Sequence, residues 1–245
     1  MERKKFQIVI VLFLCFTIQL KAGYRSYIYT AYVINNMKIW KNVIDKMQAM
    51  PDKTTEFTME LVNYQYGYIG WCIGMKEYGD AKKYLDLAER NISRLSGEGN
   101  VQSMINSYKA AFYGFRIGMN SVLAPFLGLK SIEAARLAME SDPDNPLAHI
   151  QHGNIKFYTP PVFGGSKAEA INYYLEAMEI MEKNKDSLKK DWNYLNLLVI
   201  IAQSYSYLND IQSTRHYIDK ILNLEPDISW VREELYPQLM ERVTK

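Results

Sequence analysis

The chain is poor in the residues that carry most metal and nucleophile chemistry: two cysteines and three histidines in 245 residues. Two cysteines cannot frame a disulfide-built fold. Lys plus Arg number 29 and Asp plus Glu 27, a formal net charge of +2. That gives no electrostatic case for nucleic acid, which needs a basic domain or stripe. None of the patterns G-x-S-x-G, H-E-x-x-H or C-x-x-C occurs, so no hydrolase elbow, zinc helix or redox pair announces itself. Hydrophobic residues at 48% and charged ones at 23% exclude wholesale disorder, collagen and a multi-span membrane protein. What is abundant is tyrosine, at 19, and methionine, at 12.

The N-terminus reads as an address. Arg3, Lys4 and Lys5 precede a 13-residue apolar run, Ile8 to Leu20, and the small residues Ala22 and Gly23 follow it. This is the three-part layout of a secretory signal, and the run falls short of the roughly 20 residues that span a bilayer. The expectation is a signal peptide at residues 1–22, cleaved after Ala22, and a protein that is exported, periplasmic or secreted. An uncleaved N-terminal anchor is the alternative. Leu14 before Cys15 is not the small residue that lipid attachment to that cysteine would want. Cleavage removes Arg3, Lys4, Lys5, Lys21 and Glu2 from the totals of 29 and 27, leaving a net charge of −1 and Cys72 as the one cysteine. No stable membrane span is expected after cleavage.

From Tyr24 onward apolar residues recur at three and four positions, the stripe of an amphipathic helix. Ala81, Tyr84, Leu85 and Ala88 follow it, as do Leu198, Ile201, Ala202 and Tyr205. Asn35-Asn36, Pro51-Asp52, Asp142-Pro143, Gly164-Gly165-Ser166, Asn209-Asp210 and Glu225-Pro226 end one helix and cap the next. This punctuation predicts about eleven helices and an all-α fold. Val231, Leu235, Leu239 and Val243, at four-residue steps, predict a terminal helix that Pro237 kinks or splits.

One spacing repeats: three, four and three residues apart. It appears as Met37/Trp40/Ile44/Met47, Tyr78/Ala81/Leu85/Ala88 and Ile211/Thr214/Ile218/Ile221, and Pro226 follows Ile221 by five residues as Pro143 follows Ala138. This resembles the second helix of the tetratricopeptide repeat. Tyr205 and Gly153 stand where that family places its Tyr and Gly, while its Trp and Leu-Gly pair are mostly replaced. With Trp40, Ala81, Ser131, Ala170 and Thr214 as the second position of each unit, the intervals are 41, 50, 39 and 44 residues, against about 34 in the standard repeat. The segment Phe157-Tyr158-Thr159-Pro160-Pro161-Val162-Phe163-Gly164-Gly165, with Ala124-Pro125-Phe126-Leu127-Gly128, is similar to exported tetratricopeptide-like proteins of Bacteroidetes. The resemblance implies a repeat domain over residues 23–245: a right-handed superhelix of about five degenerate hairpins with a C-terminal capping helix. A lone hairpin cannot cover its apolar face, so the units must stack.

Residues with chemical potential read as structural. His149 and His152 share a helix face, but nothing nearby completes a metal site. Cys72 lies in an apolar helix with no base beside it. Gly164-Gly165-Ser166-Lys167 lacks the order of a P-loop, and Ser166 with Glu169 makes a capping box. Asn91-Ile92-Ser93 fits an N-glycosylation acceptor, and Asp186-Ser187-Leu188 resembles the short O-glycosylation motif of Bacteroidetes exported proteins. Tyr64, Tyr66 and Tyr68 alternate, so they cannot all share one helix face. The expected function is a non-catalytic protein-binding or scaffolding module of the cell envelope. Its partner is an unidentified protein or peptide on the concave surface, met by Tyr64, Tyr66, Tyr68, Tyr158 and Phe163, with no cofactor and no metal. The alternative is a small-ligand binder, for glycan or peptide, with a tyrosine-lined groove.

Overall fold

The computed structural model describes residues 23–95 and 101–243; the expected signal peptide lies outside them. Among the described residues there are eleven helices and no strand. They are α1 (residues 23–33), α2 (Met37–Ala49), α3 (Thr55–Gly74), α4 (Tyr78–Arg94), α5 (Gln102–Met119) and α6 (Ala124–Ser141), then α7 (Pro146–Tyr158), α8 (Lys167–Glu182), α9 (Trp192–Tyr207), α10 (Ile211–Leu224) and α11 (Tyr236–Val243).

The helix starts are written in the sequence. Asn36, Thr54, Asn145, Ser166, Asp191 and Asp210 each accept a backbone N–H two or three residues ahead, a cap worth about 1 kcal/mol. Three odd-numbered helices end alike, with Asn35, Lys76 and Asn209 at positive φ. The next amide, of Asn36, Glu77 or Asp210, donates back to the carbonyl of Ala31, Cys72 or Tyr205 at 2.8–3.1 Å. This left-handed finish satisfies orphan helix carbonyls and makes the tight turn of a hairpin.

Two local expectations need amendment. Ser166 caps α8, but Glu169 does not return the bond; its carboxylate pairs with Lys156 at 2.6 Å, and the Ser166 amide donates to the Lys156 carbonyl at 2.8 Å. Pro237 divides the terminal helix into a π-helical turn and α11 rather than into two α-helices. Lacking an N–H, it breaks the ladder one turn back, and the chain widens there into a π-helical turn, Val231–Leu235, with the Tyr236 amide reaching the Val231 carbonyl.

Consecutive helices pair as α3/α4, α5/α6, α7/α8 and α9/α10, each hairpin also packed on the next; α1 and α2 pair through Tyr32 on Trp40. The positions expected to sit between paired helices, Trp40, Ala81, Ser131, Ala170 and Thr214, are all buried. Trp40 is too large for such a place, and Gly67 makes room. A Cβ on Gly67 would lie 2.7 Å from both Trp40 and Trp192.

Odd-numbered helices run parallel. Arg25, early in α1, donates to the carbonyls of Ser187, Lys189 and Lys190 just ahead of α9. Asn145, ahead of α7, donates to Ser103 at the start of α5 at 2.7 Å. At the far ends Ile73 lies 3.8 Å from where a Gly118 Cβ would be, and Phe157 packs edge-on against Tyr207. The array therefore has two edges: one gathers the five turns inside hairpins, the other the turns between them. The ends of the array also meet. Tyr32 touches Trp192 and Trp230 and donates to Asn196 Oδ1 at 3.3 Å. The Trp230 indole returns a bond to the Tyr32 carbonyl at 3.0 Å, and the Tyr29 hydroxyl donates to Glu225 at 2.7 Å.

Candidate functional site

The inner faces of α3, α5, α7 and α9 converge on one another. Asn63 is the hub: its Oδ1 accepts from the Trp192 indole at 3.0 Å. Its Nδ2 donates to the Tyr108 hydroxyl at 3.1 Å and to Asn193 Oδ1 at 2.9 Å. At this level the centre of the array is filled by side chains, with Trp40 and Trp192 crossing edge-on at 4.8 Å beside Asn63.

Toward the edge that carries the hairpin turns, the same wall is aromatic and open. Tyr66 stacks on Phe115 at 5.4 Å and accepts from the Gln151 amide at 3.4 Å. The Tyr174 hydroxyl donates to Asn154 Oδ1 at 2.9 Å, and its ring fills the space over Gly153, where a Cβ would come within 2.4 Å. Phe157 meets Tyr158 and Tyr207 edge-on at 5.0 and 5.2 Å. Lys167 lies over Phe157 and Tyr207, and Arg242 lies 4.1 Å over the Tyr207 ring. Tyr158 is 78% exposed, yet burial raises its hydroxyl pKa, with Tyr66 and Tyr207 adding to the effect. Burial also raises Tyr66, against the pull of Gln151 and Asn154, so the group stays neutral and presents O–H donors rather than phenolates.

The sequence-predicted residues divide. Tyr64 and Tyr68 are 4% and 3% exposed, bonded to Glu60 at 2.6 Å and Asp80 at 3.1 Å; α3 is covered on both flanks, so their rings belong to the core. Tyr66, between them, faces the inner wall. Tyr158 stands at its open end. Phe163 is 77% exposed on the turn before α8, outside the wall. That turn needs both its glycines. Gly164 has φ +87°, and a Cβ on Gly165 would lie 1.7 Å from the Thr159 carbonyl oxygen. Tyr174, Tyr207, Gln151 and Asn154 were not among the expected residues. Each is ordinary in its own helix, and only the stacking of hairpins assembles them.

Elsewhere the polar candidates are occupied. His149 contacts the Pro143 carbonyl oxygen at 2.8 Å and Glu176 at 3.0 Å. Among the described residues no group of three or more His, Cys, Asp or Glu is placed to hold a metal. Cys72 is buried, its thiol pushed up to about 11 by burial. Asn91 is 1% exposed and donates to Gln48 and Gln65 at 2.9 and 3.0 Å, so this fold has no room for a glycan on it. Ser187 is exposed. Two hollows of about 480 and 510 Å³ lie away from the tyrosine wall, one on α10 beside His216, the other by Pro51 and Thr58. No helix among the described residues is long and apolar enough to cross a membrane.

His152 stacks on Tyr173 at 5.3 Å with its Nε2 unpartnered and buried. Burial lowers its pKa below the ordinary 6.5, with smaller opposing and reinforcing effects from the Ala135 backbone, His149 and Lys156. The imidazole is held neutral when folded, so the unfolded chain takes up this proton first as pH falls. Its contribution to stability is complete above about 6.5 and is lost as pH falls from there through the lower, folded value. Thermal melts at pH 7.5 and 5.5 check this: His152→Gln should lose less melting temperature on acidification than the parent, and an equal loss refutes it.

Neither a protein-family model nor a curated protein matches the chain.

Proposed function

We propose that this is a non-catalytic binding protein of the cell envelope: an exported tetratricopeptide-like array that holds a protein or peptide partner against the open end of its inner wall. The observation that carries this reading is Tyr158. A large, rigid, amphipathic ring stands mostly exposed, edge-on to Phe157, which also meets Tyr207, with Lys167 and Arg242 over these neighbours. Such residues give contact area at little entropic cost and dominate protein interfaces. The uncommitted face of a repeat array is where these proteins usually meet others. Tyr64 and Tyr68 support the wall rather than touch the partner; Tyr66, Tyr158 and Tyr207 form the contact.

A photo-crosslinking residue placed at position 158 should capture one discrete envelope protein, and the same residue at Glu179, on the exposed side of α8, should not. With the partner purified, Tyr158→Ala should weaken binding about ten-fold or more, the usual cost of truncating an interface anchor. Equal capture at both positions, or unchanged affinity, would reject the reading.

A second reading draws on a separate observation. Tyr66 and Tyr174 meet the amides of Gln151 and Asn154 at this end of the wall, the mixture of flat apolar faces and oriented donors and acceptors that a sugar ring uses. Titration calorimetry against a panel of oligosaccharides and short peptides separates the two. Heat from a small glycan, abolished by Tyr158→Ala, selects the ligand-binding form.

A further inference from the structure

A feature separate from the inner wall lies on the edge that gathers the hairpin turns. Each of its five turns carries an exposed large apolar side chain: Ile34, Met75, Val122, Phe163 and Leu208, with Phe126 and Val162 beside the third and fourth. They are 44–81% exposed. Among the described residues of the opposite edge, the turns at 50–54, 142–145, 183–191 and 225–228 contain no exposed large hydrophobic residue; Leu224 and Tyr27 border them. Single exposed apolar residues are unremarkable, but one on every turn of one edge marks an interaction surface.

Cations stand among these tips. Lys38, Lys76 and Lys130 stand exposed beside the apolar tips, and no ion pair involves them among the described residues. Glu77 is exposed there too, while Asp210 is spent as the cap of α10. The other edge carries Asp52, Asp142, Asp144, Asp191, Glu225 and Asp227. It also carries Asp186 and the lysines Lys53, Lys183, Lys185, Lys189 and Lys190, with Lys183 and Lys189 paired to Asp144 and Asp186, so its charges are close to balanced.

We propose that the hairpin-turn edge rests on the surface of an anionic lipid bilayer. The tips come from five separate turns at the ends of parallel helices, so they present a row of short apolar points rather than a cleft that would seat one protein element. Apolar points interleaved with uncommitted lysines are what the bilayer interface accepts: the side chains enter the headgroup boundary and the ammonium groups meet the lipid phosphates. A second copy of the chain is a poorer fit, because edge-to-edge pairing would press the same lysines together. The attachment is peripheral and goes beyond partner binding. It would orient the array on its rim and bring the open end of the tyrosine wall toward the membrane.

Vesicle flotation tests this on the chain from residue 23 onward, which contains every described helix. Vesicles of phosphatidylcholine with about 30% phosphatidylglycerol should carry the protein, and phosphatidylcholine alone should not, with binding falling several-fold between about 50 and 500 mM salt as screening sets in. Val162→Ser with Phe163→Ser should cut binding about ten-fold, and so should Lys76→Glu with Lys130→Glu, because apolar entry and charge act together. All four side chains are exposed, so melting curves should match the parent's, and the charge pair tests the idea even where the serine pair disturbs the turn. Absence of flotation with anionic vesicles overturns the proposal. So does binding that neither pair of changes reduces, or a dimer that Val162→Ser/Phe163→Ser dissolves in a protein that ignores vesicles. Loss of vesicle binding with capture at position 158 intact would leave the partner reading standing by itself.

Discussion

Replacing Trp192 by Ala should cost about 3–5 kcal/mol of unfolding free energy, the range for truncating a buried tryptophan. The ring is 4% exposed, crosses Trp40 at 4.8 Å and Tyr32 at 6.1 Å, and fills the space left by Gly67. Its indole also donates to Asn63 Oδ1, so the change leaves that oxygen with only the longer 3.4 Å bond from Asn193 at the point where α3, α5 and α9 meet. Urea unfolding followed by far-ultraviolet circular dichroism measures the loss, and a cost under about 1 kcal/mol would contradict the packing described. The same site offers an internal check. Gly67→Ala should be severe in the parent, where its new methyl meets both indoles, and much milder with Trp192→Ala, because contacting residues do not add.

Starting the chain at Met37, without α1, should be at least as damaging. Tyr24, Ile28, Ala31, Tyr32 and Val33 are all buried, and burying a large apolar side chain is worth about 1.5–3 kcal/mol. Losing four such residues exhausts much of the roughly 5–15 kcal/mol that holds a typical domain. The truncated chain should show red-shifted tryptophan emission, as Trp40, Trp192 and Trp230 lose Tyr32, and a shallow, poorly cooperative melt. A synthetic peptide spanning residues 23–36 should restore both in trans. A truncated chain that melts cooperatively within a few degrees of the parent would show that α1 is an accessory.

The helical stripes, the caps and the small positions at helix crossings were legible because they are local. Ala81, Ala170 and Thr214 are buried where the three-four-three spacing puts them, and Asn36, Ser166 and Asp210 cap where polar residues precede a stripe. What could not be read depends on residues far apart in the chain. Arg25 and Lys190, or Tyr32 and Trp230, have no signature that names the other. Tyr66 is told from Tyr64 and Tyr68 only by knowing which flanks of α3 are covered. The departure at Trp40, a large residue where a small one is usual, is explained by Gly67 and Trp192, one in the next hairpin and one four hairpins on. The apolar edge was visible residue by residue but became a surface only when the turns were placed on one side.

The meeting of α1 with α9 and with the segment before α11 has a consequence for how such a molecule can change over time. An open stack can gain or lose a unit and still offer the same joint at each seam. Here the first hairpin must reach the last, so an inserted or deleted pair would pull Tyr32 away from Trp230 and unseat Arg25. Length is locked by closure, and variation is left to the turns, which can lengthen outward, as the one bearing Val162 and Phe163 does, without disturbing the fit of the whole.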